Sequence, residues 1–335
     1  MKVLVTGAAG FLGSWLVEAL LDQGCRVVGI DNMIGGYEDN ITSHDRYQFA
    51  RLDLLDLGGI TDFFSGCDAV YHCGALPYEG LSVFSPSIIT ENIVVGSVNV
   101  MVASVRCGVR RVINCSSMSR YGSIPVPYVE EQVLQPVDPY GLAKFMAEKQ
   151  MDLIGQIYGI KLVHAIPHNI IGAKQKYDDP FRNVASIMAN LMLQGRRPIV
   201  YGDGEQVRCF SAVQDVVPIL IKMLDYEVDH GEVFNVGPDK DPVTINELVR
   251  RLCRVIGVCS EPIYHGARPQ EVKTAFASSD KIRRVFSYQE KVGLDESLGD
   301  IVQYIRGRGV RPFCYHMPVE IVRPDTPRTW CDQLF

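Results

Sequence analysis

Apolar residues come in short runs separated by longer segments with helical spacing. Residues 2–6 (KVLVT) are continuously apolar apart from their ends, too short for a helix and suited to a strand buried on both faces. Residues 11–22 then place apolar side chains three and four apart, the period of an amphipathic helix. The same alternation recurs: 26–30, 47–53, 67–74, 111–115, 160–166 and 232–236 read as strands, while 89–107 and 140–150 read as helices. Strands alternating with helices fold into a parallel sheet covered on both sides. The pattern predicts a doubly wound α/β fold of Rossmann type. In such an open sheet the strand tips share one edge, and ligands bind there.

Beyond residue 167 the alternation loosens, as expected if a second, smaller α/β lobe is assembled from later segments. Residues 180–194 predict a helix, and 198–210 a hairpin around Gly202-Asp203-Gly204. Residues 215–224 predict a helix returning to the sheet, and 244–258 another helix. The expected division is 1–168, with 213–240 returning to it, against 169–212 and 241–335. The tail, 313–335, carries prolines and Trp330 and stays unassigned. There is no repeat and no low-complexity linker.

At 335 residues and 47% hydrophobic side chains the chain can bury a large core. A net charge of −6 gives no electrostatic reason to expect nucleic acid or a membrane surface as partner. No apolar run looks long enough to span a bilayer, and a core strand rather than a signal peptide opens the chain, so the cytoplasm is expected. Ten cysteines are scattered without a CxxC motif or a histidine cluster, which points to buried thiols and away from metal or disulfide roles.

Chemistry concentrates at the strand tips. Gly7, Gly10 and Gly13 follow the first strand: one for the tight turn, one for approach of a pyrophosphate to bare backbone, one for close helix packing. Phe11 and Leu12 open the helix whose N-terminal amides would face the phosphates. Asp31 ends the second strand, where a carboxylate accepts both ribose hydroxyls of an adenosine and repels a 2′-phosphate. That favours NAD over NADP. Asn32 begins a polar loop across the adenosine end, and Asp53 and Leu54 could reach the adenine. Small residues around Cys73 and Ala75 let a flat ring pass over the backbone. Asn92 and Asn99 lie on one side of the long helix, where an asparagine either contacts the ligand or simply holds a neighbouring loop. The spacing is GxxGxxG, which also occurs in ordinary turns, but here every flanking element follows in the required order.

Tyr140 and Lys144 stand four apart on a predicted helix, on the same face. An unperturbed tyrosine is too protonated at pH 7 to act as a base, and a neighbouring ammonium would stabilise the phenolate. Ser117, at the end of a neighbouring strand, can hydrogen-bond the same substrate oxygen. A YxxxK pair alone is common on solvated faces; the glycine turn before it and the serine between give it chemical meaning.

TGAAGFLG, CSSMSRYG, DPYGLAK, PHNIIGAKQ, RNV, YGDGEQVRCFS and GARPQEV together resemble the extended short-chain dehydrogenases, specifically the NAD-dependent nucleotide-sugar epimerase/dehydratase family, and among them the UDP-glucose 4-epimerases. The resemblance runs to about Lys291. It implies Ser117, Tyr140 and Lys144 as the catalytic set, with Pro167 beside the cofactor. It further implies Asn169 at the substrate diphosphate, Arg208 and Arg268 as guanidinium clamps, Tyr201 stacked on the base, and Asn183 and Val184 lining the nucleotide site. As residues alone, Tyr201 is equally a hairpin aromatic, while the two arginines could be surface ion-pair partners but stand in family-like context, which favours ligand contacts. His72 and His168 read as fold contacts. Ile166 departs from relatives that carry an arginine before the proline.

Family members oxidise the hexose at C4 and differ afterwards. Dehydratases carry an acidic pair after the catalytic serine or threonine, whereas Met118 and Ser119 follow Ser117 here. The implied reaction is therefore NAD-dependent 4-epimerisation of a UDP-glucose/UDP-galactose pair through a 4-keto sugar. Alternatives are UDP-glucuronate, whose carboxylate Ser119 and Arg182 could meet, or UDP-N-acetylglucosamine. Ala275, seven residues beyond Arg268, occupies a position where a tyrosine would exclude an acetamido group. A dehydratase, a reductase or a non-catalytic NAD-binding protein are further alternatives. The resemblance also implies tightly held NAD and a homodimer built on the helices 89–107 and 140–150.

Overall fold

The computed structural model describes residues 1–227 and 229–335. Seven parallel strands form the central sheet: β1 (Lys2–Thr6), β2 (Arg26–Asp31), β3 (Tyr47–Arg51), β4 (Ala69–His72), β5 (Arg111–Cys115), β6 (Lys161–Pro167) and β7 (Glu232–Val236). Their order is β7-β6-β5-β4-β1-β2-β3. The chain runs outward from β1 through β2 to β3, then crosses to β4 on the other side. The crevice between the β1 and β4 tips is thus the point of topological reversal, where such sheets bind ligands. Gly7 and Gly74 meet there so closely that a Cβ on Gly7 would lie 2.8 Å from the Gly74 backbone.

Helices Phe11–Asp22 and Val213–Lys222 cover one sheet face with Leu16, Leu20, Val216 and Leu220. Val100 and Met101, from the long helix Pro86–Arg106, and Met151, from helix Pro139–Tyr158, help cover the other. Asp138 caps the latter helix, accepting from Gly141 N–H at 2.8 Å, and Gly159 ends it at φ 76°. The helix runs eight residues past the expected end, continuing through Gly155 to Tyr158. Contrary to the expectation from hydropathy, the 21-residue stretch Pro86–Arg106 is long and apolar enough to cross a membrane, with mean hydropathy 1.6 over its most apolar 18 residues. Its apolar side faces protein: Ile89, Ile93, Val100 and Met101 are buried. One turn of it, Glu91–Val95, is a π-helix.

Around the sheet's ligand edge, helices Val184–Leu193, Ile245–Ile256 and Leu294–Arg308 share a second core containing Met188, Leu248, Leu252 and Leu298. Val184–Leu193 begins four residues later than predicted, because Asn183 caps it by accepting from Ala185 N–H at 3.0 Å. The predicted hairpin over 198–210 does not form. Ile199–Tyr201 pairs in parallel with Ile263–His265, and Val207–Arg208 pairs with Val243–Thr244 and Thr274–Ala275. At the turn, Gly202 and Gly204 adopt φ of 70° and 74°, and the Gln206 amide donates to the Tyr201 carbonyl at 2.7 Å, so the two strands diverge instead of pairing. The tail folds back over the molecule: Cys314 N–H donates to Asp178 O and Ile321 N–H to Phe84 O, each at 2.8 Å.

Candidate active site

A cavity of about 430 Å3 opens along the sheet edge, and a smaller one of about 60 Å3 adjoins it near Ser117. Every residue expected at the cofactor lines the larger cavity. Met118, Ser119 and Ala275 line the smaller one, and the other expected substrate residues line the larger.

The glycine turn is built as its sequence requires. Gly7 sits at φ 69°, and a Cβ on Gly13 would fall 2.1 Å from the Gly7 carbonyl, so only hydrogen fits. Gly10 is the N-cap of helix Phe11–Asp22, without a capping side chain and without an acid in the first turn. Those first-turn amides are open to an anion. Asp31 accepts from Ala9 N–H (3.0 Å) and Met33 N–H (2.7 Å), which fixes its carboxylate at the β2 tip. Burial pushes its pKa up while these amides pull it down. Asp53 accepts from the Asn32 amide at 2.9 Å. An uncapped helix start, a cradle closed to side chains and an acid one strand away fit a dinucleotide.

Asn92, in the π-turn, accepts from Leu76 N–H at 2.9 Å and faces the cavity, whereas Asn99 donates to the Leu54 carbonyl at 2.8 Å and holds that loop. His72 is buried between Thr6 Oγ1 (2.8 Å) and Ser97 Oγ (2.9 Å), and His168 bonds the Pro238 carbonyl. Cys73 Sγ lies 3.4 Å from Cys115 Sγ, both thiols free.

Tyr140, Lys144 and Glu148 repeat every four residues along one buried face of helix Pro139–Tyr158. Lys144 Nζ donates to the Cys115 carbonyl at 3.1 Å, and burial lowers its pKa. Burial pushes the Tyr140 phenol well above the ordinary value, the Ser117 hydroxyl pulls it back, and the Glu79 and Asp138 carboxylates push it further up. The Lys144 ammonium, turned to the β5 carbonyl, shares the buried helix face with Tyr140. Ser119 N–H donates to Ser117 Oγ at 3.2 Å, holding that hydroxyl at the strand tip. Behind it Glu148 accepts from the Ser116 hydroxyl and lies 3.1 Å from Arg120 Nη2, both side chains almost wholly buried.

At the other end Asn169, at φ 43°, donates to the Cys209 carbonyl at 2.9 Å. Arg208 donates to the Val272 carbonyl at 2.8 Å and touches both cavities. Arg268 pairs with Glu271 at 2.8 Å, and its guanidinium covers one face of Tyr201 at 4.8 Å. Arg182 donates to the Gly35 carbonyl at 2.6 Å, lies 3.6 Å from Asp179 and covers Tyr78. Ala275 is buried, and Phe276 lines neither cavity. Sequence reasoning missed Glu79, Glu271, Trp330 and Phe335. A lone tryptophan in an unassigned tail was the one available signal.

Residues 3–237 match the NAD dependent epimerase/dehydratase family. The chain belongs to that family. NAD is its cofactor. It is 31% identical to the UDP-glucose 4-epimerase of Mycolicibacterium smegmatis, over 92% of this chain and 99% of that one. The UDP-glucose 4-epimerase of Thermotoga maritima, solved with UDP-glucose, superposes with a TM-score of 0.86 at 29% identity, over 92% and 99% of the two chains. The UDP-glucuronic acid 4-epimerase of Bacillus cereus, solved with UDP-glucuronic acid and NAD, does so at 0.85 and 28%, over 92% and 100%. This family member is a nucleotide-sugar epimerase built on a seven-stranded parallel sheet.

Proposed function

We propose that the enzyme interconverts the C4 epimers of a neutral UDP-hexose, UDP-glucose and UDP-galactose. The supporting observation is that Ser117, Tyr140 and Lys144 share one cavity wall with the glycine turn. Residues 1–168, with 213–240, would hold NAD, and 169–212 with 241–335 the nucleotide sugar. Bound NAD supplies reversible hydride acceptance at the sugar C4. Tyr140 Oη takes the proton of the 4-hydroxyl and returns it to the 4-oxygen of the epimer, while Ser117 Oγ holds that oxygen in place. Lys144 balances the phenolate charge through its buried ammonium. Asn169, Arg208 and Arg268 hold the diphosphate, leaving the keto sugar able to turn over between the two hydride transfers.

Two features favour a neutral sugar over a uronate. Arg182, the expected partner of a uronate carboxylate, gives one donor to the Gly35 carbonyl and lies 3.6 Å from the Asp179 carboxylate, which offsets its charge. Glu79 brings negative charge to the Tyr140 end of the cavity. No acid follows Ser117, which supports epimerisation over dehydration.

Leu142, Met146, Leu153 and Ile157 form an exposed apolar stripe along helix Pro139–Tyr158, with Val95 exposed on the neighbouring helix. Such a stripe supports a homodimer through these helices, in a cytoplasmic enzyme. The test is to incubate the purified protein with UDP-glucose, UDP-galactose, UDP-glucuronate and UDP-N-acetylglucosamine and to resolve C4 epimers. UDP-glucose and UDP-galactose interconvert without added NAD; a protein that epimerises neither overturns the proposal.

A further inference from the structure

The motifs that carry the family resemblance stop near Lys291, yet one wall of the larger cavity comes from the tail. Trp330 and Phe335 line it, opposite the glycine turn in sequence by more than three hundred residues. The Trp330 ring is 5% exposed and wedged among Phe84, Phe181 and Tyr201, with centroids 6.0, 5.5 and 6.4 Å away. Its neighbour Thr329 binds the Tyr201 hydroxyl through Oγ1, which ties the tail to the strand Ile199–Tyr201. Gly80 leaves room for this packing: a Cβ there would come within 3.4 Å of the Trp330 ring and 2.8 Å of Arg268 Nη1.

The two tryptophans of the chain differ in one respect. Trp15 donates its indole N–H to the Ala173 carbonyl at 3.1 Å. The Trp330 N–H is buried and finds no acceptor among the described residues. A buried donor without a partner is costly, and native structures keep few of them. The ring stands beside Tyr201, assigned above to the nucleotide end of the cavity, and it shares a buried apolar cluster with Tyr140.

We propose that the tail is a specific part of the substrate site, in which the Trp330 indole N–H donates a hydrogen bond to an oxygen of the nucleoside diphosphate half of the substrate. This rests on the nucleotide-sugar reading of the same cavity. The chemistry asks for an acceptor that the nucleotide carries in its phosphate, ribose and uracil oxygens. The tail then adds a donor to a site whose other contacts come from the first 271 residues.

The test compares wild type with Trp330→Phe, which keeps an aromatic ring and removes the N–H. Dissociation constants for UDP and for UDP-glucose, measured calorimetrically on the NAD-loaded protein, both rise about tenfold. Unchanged constants overturn the proposal, as does a loss seen with UDP-glucose but not with UDP, which would place the acceptor on the sugar. A second measurement covers a poorly folding variant. In Trp15→Phe, Trp330 is the sole tryptophan, and its emission shifts on adding UDP; binding without a shift overturns the proposal. If wild type binds neither UDP nor any UDP-sugar, the functional reading itself falls, an outcome distinct from the other two.

Discussion

Replacing Glu148 with Gln should cost far more stability than a change of one atom suggests. Glu148 is 1% exposed, and its carboxylate faces the buried Arg120 at 3.1 Å while accepting from the Ser116 hydroxyl. Among the described residues Arg120 Nε and Nη1 have no hydrogen-bond partner, which leaves Glu148 as the charge that balances this guanidinium. Glutamine can still accept from Ser116, so the loss isolates the charge. Removing one member of a buried pair strands the other, at a cost of about 3–5 kcal/mol. Replacing both, as Arg120→Met with Glu148→Met, removes the stranded charge and should recover most of that loss. The assay is urea denaturation at saturating NAD, comparing midpoints at a common slope. A cost below about 1 kcal/mol for Glu148→Gln, or a double variant less stable than either single one, would refute the reasoning. Because Ser116 precedes Ser117, the single variant should also lower kcat more than it changes KM.

Tyr140→Phe removes the proposed base and keeps the ring, so turnover falls by about 10^2–10^4 while NAD remains bound; near-normal turnover would place the base elsewhere. Since burial raises the Tyr140 pKa, the phenolate fraction, and with it kcat/KM, climbs with pH from 6 to 8; a flat profile contradicts the assignment. Ala275 lines the smaller cavity beside Ser117, so UDP-N-acetylglucosamine should be epimerised alongside UDP-glucose, and Ala275→Tyr should remove only the acetamido activity, read as kcat/KM for both. His72 is held neutral by burial, with its pKa lowered to about 3, below the unfolded value near 6.5. Its contribution is intact above pH 6.5 and is lost as pH falls towards 3, about 2 kcal/mol between pH 7 and 5; denaturation of His72→Gln should show a shallower acid slope.

Legibility followed locality. β1, the glycine turn, its helix and Asp31 are contiguous, and period, turn chemistry and strand tip are all local properties, so the cofactor end could be read residue by residue. The helix over 140–158 was legible in its start, where Asp138 and Pro139 cap it, and misjudged in its length, because only Gly159 stops it. The hairpin over 198–210 failed for a different reason. Two short apolar runs around Gly202 and Gly204 look self-complementary, yet their partners are Ile263–His265, Val243–Thr244 and Thr274–Ala275, which no local pattern identifies. Lys144 was correctly placed on the Tyr140 face, but its bond to the Cys115 carbonyl depends on β5 and could not be foreseen. The tail was illegible because it has no period; its meaning lies in contacts with residues 84, 178 and 201.

Those distant contacts give the tail its own unfolding event. Only a few backbone bonds fasten it, among them the amides of Cys314 to Asp178 and of Ile321 to Phe84, whereas β1 lies within a sheet paired on both sides. Detachment of the tail therefore exposes these two amides to deuterium together, at a free energy well below that which exposes Val3 and Val5. A molecule seated in the cavity must leave, or lose a wall, before the tail can lift. Solvent exchange at Cys314 and Ile321 should then slow in proportion to ligand occupancy, while exchange in β1 keeps its own, slower clock.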